Sequence, residues 1–195
     1  MQCGKEKITV SVTQEGTTQG GGTPNNDGFV IDLSGVIPAG VVTLKAVLFE
    51  EEENLLVTAN VAQTGGKITL PKTITLTQNN SENASYFFDG DESNSGARCT
   101  YMCDIYGYDI GGKFIGYFTY TTANPKEYWA AFWYFDQDCN VIGNGSNYSY
   151  NCYFKAGWNI EYTHQYDVQK ESRNFYTEKP AGLNFKWVYD SGQDK

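Results

Sequence analysis

Histidine is almost absent from this chain of 195 residues: His164 is its one copy, and methionine (2) and proline (5) are scarce. No H-E-x-x-H, G-x-S-x-G or phosphate-cradling glycine loop occurs, so zinc-protease, serine-hydrolase and nucleotide-binding readings have no residues to stand on. His164 itself lies in phase with Trp158, Ile160 and Tyr162, which marks it as a packed or surface histidine rather than a catalytic base. Clustered basic residues are missing too. The 14 Lys and Arg are scattered among 23 Asp and Glu, for a net charge of −9. That balance repels nucleic acid and anionic lipid headgroups, which are bound through clustered cations. No apolar run approaches the roughly 20 residues of a membrane span. No amphipathic helix longer than two turns is visible.

What remains is β-forming. Tyr (15) and Gly (21) dominate, 40% of the residues are hydrophobic, and 30 are aromatic, a composition of strands and turns around a packed core. Only Phe29 and Phe49 of those aromatics fall within residues 1–85. The first half therefore carries an aliphatic core and the second an aromatic one, as two subdomains or two facing sheets would.

Alternation places strands at Ile8–Val12 and Phe29–Leu33, separated by a polar, Gly-rich loop over residues 14–28. Val41–Phe49 and Leu55–Val61 form a hairpin around the solvated acidic turn Glu50–Glu53. Strands follow at Lys67–Leu70 and Thr73–Thr77, then a polar surface connection over residues 78–85. Ala97, Cys99, Tyr101, Cys103 and Ile105 share one face of a further strand. Tyr128–Phe135 (YWAAFWYF) is apolar on both faces, as in a strand covered on both sides. Later, Trp158, Ile160 and Tyr162 alternate with Asn159, Glu161 and Thr163. Ten to twelve short antiparallel strands with regular turns predict a β-sandwich over residues 7–192, with an internal division near 78–85.

Cys99 and Cys103 cannot pair, because four residues of extended strand span about 13 Å and a disulfide tolerates about 7 Å between Cα atoms. Both are expected to be buried. Cys139 and Cys152 flank the turn Gly143–Asn147 and are the candidates for a cross-hairpin disulfide, with free thiols the alternative. Asp89–Gly96 spaces oxygen ligands like a calcium loop but lacks the glycine at position six and the closing glutamate. No metal site and no cofactor are expected.

Cys3-Gly4-Lys5-Glu6-Lys7 looks like the start of a mature bacterial lipoprotein, whose cysteine carries lipid and whose next residues are polar. Setting Cys3 aside leaves an even four cysteines. Met1 and Gln2 leave no room for a signal peptide's apolar segment. Several further segments carry the same likeness: Leu44–Phe49, Gly65–Pro71, Gly116–Tyr120, Lys155–Tyr162 and Pro180–Trp187. Together they make the chain resemble the small, largely uncharacterised surface lipoproteins of gut Bacteroidetes, in the same order from Cys3 to about Tyr189. The resemblance implies an all-β domain tethered to the outer membrane through residues 1–6. It supplies no catalytic residues.

The aromatic surplus is the functional lead. Trp129 and Trp133 on one strand face, with Tyr106 and Tyr108 read as outward, are the candidate platform for sugar rings, and core packing is the competing role. The expectation is a cell-surface, non-catalytic binding module for a glycan or a surface protein. It touches no nucleic acid and meets the membrane only through its lipid anchor. A structural subunit of a surface assembly is the alternative. A glycosidase ranks last, because no acid, base or nucleophile can be named.

Overall fold

The computed structural model describes residues 29–49, 54–88, 91–94, 96–123, 127–145 and 147–192. Cys3, the strand expected at Ile8–Val12, the loop 14–28 and the acidic turn Glu50–Glu53 lie outside the described residues. In chain order the elements begin with β1 (Phe29–Asp32), β2 (Thr43–Val47), β3 (Leu55–Asn60), α1 (Val61–Thr64) and β4 (Lys67–Leu70). Next come β5 (Glu82–Asn83), α2 (Ala84–Phe87), β6 (Asp91–Glu92), β7 (Arg98–Met102) and β8 (Asp104–Tyr108). The second half holds β9 (Phe114–Thr121), β10 (Tyr128–Phe135), β11 (Cys139–Asn144) and β12 (Tyr148–Phe154). It ends with β13 (Gly157–Asp167), β14 (Ser172–Tyr176) and β15 (Lys186–Asp190).

The fold is all-β, as the composition predicts. β1 and β4 form a two-stranded sheet; the other strands join one large sheet along the path β3-β2-β8-β9-β10-β13-β14-β12-β11-β6. β15 adds to β9, and β7 to both β10 and β5. The ladders are antiparallel except β12 with β14, which run parallel. The expected hairpin is β2 with β3, opposed from Thr43↔Asn60 to Val47↔Leu55. One-turn helix α1 continues directly from β3. The Asn60 side chain caps it, accepting from the Ala62 and Gln63 amides at 3.0 and 3.3 Å.

β10 is the spine. Its even residues Ala130 and Phe132 enter a first core with Ile31, Leu44, Ile68, Ile105, Phe118 and Trp187. Its odd residues Ala131, Trp133 and Phe135 enter a second core with Phe88, Cys99, Tyr150 and Phe154. Phe132 stacks on Trp187 at 5.5 Å in the first, and Phe135 on Phe154 at 4.3 Å in the second. Each buried ring is worth about 1.5–3 kcal/mol. The aliphatic first half and the aromatic second half meet in the first core. The two cores thus divide by face of β10, not by position in the chain.

Three readings of the sequence need correction. The strand expected from Ala97 to Ile105 is broken at Cys103, which belongs to neither β7 nor β8. β7 pairs with β10, whereas β8 pairs with β2 and β9. The break shifts the alternation by one residue, so Met102 and Ile105 share the first core while Cys99 lies in the second. Thr73–Thr77 is not a strand. Its carbonyls are taken by side chains instead: Asn80 donates to Thr75 O at 3.2 Å and Arg98 to Thr77 O at 2.9 Å. The connection over residues 78–85 is not confined to the surface. Ser81 and Ala84 are fully buried, and Arg98 donates to the Ser81 carbonyl and hydroxyl at 2.6 and 2.7 Å.

Candidate functional site

On the second-core face of β10 the residues run Trp129, Ala131, Trp133, large-small-large. The β10–β13 register sets Thr163, Glu161 and Asn159 opposite them. β14 then sets Phe175 beside Thr163, and β12 sets Tyr150 beside Phe175. On the other edge of β10, Tyr101 of β7 stands opposite Trp133, with ring centroids 5.1 Å apart. Because Ala131 fills so little of the space between the two tryptophans, a cleft of about 200 Å³ is left above it. Phe87 and Phe88, at the end of α2, wall it from the side away from β13, packing on Trp133 at 5.2 and 5.0 Å.

Among the described residues Glu161 is the one carboxyl in this wall. The alternation of β13 puts it on the same face as Asn159 and Thr163. Both faces of β13 are covered, however, and Glu161 is only 3% exposed. Its Oε1 accepts from the Thr163 hydroxyl at 2.9 Å. Burial pushes its pKa up to about 7, against the opposing pulls of Thr163, Trp133 and Arg173. The Trp133 indole N–H faces this carboxyl without closing a hydrogen bond of good geometry. Arg173, on β14, completes the wall. Its guanidinium lies over the Trp129 ring at 5.4 Å from the centroid, a cation–π contact.

Of the expected platform, Trp129 and Trp133 do share one site, though as walls of a cleft rather than an exposed plane. Tyr106 and Tyr108 stand elsewhere, both against Phe114. Tyr108 is buried rather than outward, with the Lys45 ammonium 4.0 Å above its ring. A register irregularity at Gly107/Tyr108 interrupts the alternation that reading relied on. Glu161, Thr163 and Arg173 were not singled out. Their one signal was the pairing of a polar-faced strand with a neighbour apolar on both faces.

Cys139 and Cys152 are both buried free thiols, not a disulfide. The β11–β12 register opposes Cys139 to Phe154 and Val141 to Cys152, so the two are diagonal neighbours rather than a facing pair. Cys99 is a free thiol as well, and it does not bond to Cys103. Cys99 is fully buried, but Cys103 is only partly so and lines the cleft. Burial raises the thiol pKa of Cys99, Cys139 and Cys152. His164 stacks on Tyr128 at 4.3 Å, its Nε2 3.7 Å from Glu127 Oε1. Part of the calcium-like loop lies outside the described residues, and Asp91–Glu92 forms β6 against β11. Among the described residues no cluster of three metal-ligating side chains occurs, and no helix is long and apolar enough to cross a membrane. No protein-family model matches the chain, and no curated protein or solved structure shows significant similarity to it.

Proposed function

We propose that this protein is a non-catalytic binding module, tethered to the cell surface through lipid on Cys3, whose cleft receives one ring of a glycan. The observation that carries the reading is the cleft over Ala131, walled by Trp129, Trp133, Tyr101 and Phe175 with Glu161 and Arg173 among them. Aromatic faces take the apolar C–H faces of a sugar at low entropic cost, and a few polar groups fix its orientation. The volume of about 200 Å³ is below the usual range for drug-sized ligands and suits a single ring. Glycosidase chemistry uses two carboxyls about 5–9.5 Å apart, whereas among the described residues this wall holds Glu161 alone. A glycan array probed with wild type and Trp129→Ala tests the reading. Retention of a glycan by wild type and its loss in the variant supports it; equal retention, or none, refutes it.

A second reading, as a subunit of a surface assembly, draws on β3 and β15, which are among the strands with one partner each among the described residues. β3 pairs with β2 alone and β15 with β9 alone, and an open strand edge accepts an added strand. In that case the melting temperature rises with protein concentration; concentration-independent melting removes this reading.

A further inference from the structure

Two buried donors in the cleft wall lack a hydrogen bond of good geometry, although one of them, on Trp133, faces the Glu161 carboxyl. The Trp133 indole N–H and the Arg173 Nε–H are both buried without a hydrogen bond of good geometry, and both residues line the cleft. Neither group can accept a hydrogen bond, so only an acceptor can complete them. Trp133 is 93% buried by its 7% exposure, which leaves water little access to its ring nitrogen. Buried polar groups are almost always satisfied, so the Arg173 Nε–H, with no acceptor in bonding distance, marks a place for one in this cavity.

Charge narrows the acceptor. Among the described residues no carboxylate lies within ion-pair distance of the Arg173 guanidinium; its contact is the Trp129 ring. Glu161 acts on it through space without reaching it. Arg173 is part-buried with its Nε–H enclosed, and a hydroxyl there would leave its charge uncompensated. A carboxylate matches its fork and cancels one charge with one.

Resting on the glycan reading above, we propose that the cleft is selective for an acidic sugar, a uronic acid residue. Its carboxylate lies on Arg173 with the Trp133 N–H in reach, and the C–H face of its ring lies against Trp129. Glu161 in its protonated form donates to a ring hydroxyl or to the same carboxylate, so the acid in the wall does not oppose an acidic ligand.

Titrating the intact chain with galacturonic acid, its neutral methyl ester and galactose, followed by tryptophan fluorescence, tests this. The ester keeps the shape and removes the charge. Galacturonate is expected to bind roughly tenfold more tightly than the other two, the scale of one charge-assisted contact. Arg173→Gln is expected to erase the difference between galacturonate and its methyl ester. The wild-type comparison stands even if that variant folds poorly. Equal or weaker binding of galacturonate overturns the acidic-sugar inference and leaves the glycan reading standing. Absence of binding by all three overturns both.

Discussion

Ala131 and Glu161 face one another across the β10–β13 ladder. Directly opposed residues have Cβ atoms about 4.5–5.5 Å apart, so the smallest side chain of this β10 face sits beside the cleft's carboxyl. The hollow is the volume that a larger residue at 131 would occupy. Ala131→Leu should fill it, abolishing glycan binding while costing about 1–3 kcal/mol of stability from crowding against Trp129 and Trp133. Binding assays and urea unfolding on the same sample check this; a variant that binds as wild type places the ligand elsewhere.

Glu161 makes the fold less stable as pH rises. Its pKa goes from 4.5 to about 7 on folding, so between those values the folded chain holds a proton that the unfolded chain has released. The stability it contributes is full below about 4.5 and lost as pH climbs through about 7. The ionised form at pH 8 costs about 3 kcal/mol, from the difference between the two pKa values. The groups facing it are Thr163 on its own strand, Trp133 on β10, Arg173 on β14 and Cys152 on β12. Tyr101, Cys103 and Tyr150 line the same wall. Glu161→Gln should match wild type at pH 5 and exceed it at pH 8 by up to about 3 kcal/mol in urea unfolding. A difference that does not change with pH would show that Glu161 is solvated.

Cys103 lines the cleft, whereas Cys99, Cys139 and Cys152 are buried. Burial raises the pKa of each of those three, which leaves them little thiolate to react. Among these four, an alkylating reagent should modify Cys103 first, and a bound glycan should slow that reaction. Mass mapping over time reads the order directly; early labelling of Cys152 would contradict it.

Phe132 and Phe135 anchor opposite faces of one strand, against Trp187 and Phe154. Truncating either to alanine should cost about 3–5 kcal/mol and lower a single melting transition, because β10 belongs to both cores. Two transitions, with only one displaced by each variant, would show that the cores unfold separately.

The all-β fold, the β2–β3 hairpin and the doubly covered YWAAFWYF strand were legible, because period-two alternation and turn residues encode them locally. Trp129 and Trp133 were legible as a pair because they are two residues from Ala131 on either side. Glu161 was not: alternation separates two faces of a strand but does not say which one meets water when both are covered. Cys103 hid a break for a related reason. A one-residue phase shift leaves composition unchanged and shows only when β7 and β8 choose different partners. Arg173 sits on β14, which returns on β13 through a short turn with a register irregularity between Gln165 and Asp167, and that slip hides from simple alternation which face Arg173 takes.

The four tryptophans provide the most direct test of the cleft as the binding site. Trp129 and Trp133 line it. Trp158 donates to the Pro71 carbonyl at 2.8 Å, and Trp187 is fully buried in the first core. In an NMR titration of indole N–H resonances with a bound glycan, the signals of Trp129 and Trp133 should move together and saturate. Those of Trp158 and Trp187 should stay in place. Saturable shifts at Trp158 or Trp187, with Trp129 and Trp133 unmoved, would contradict the assignment of the site.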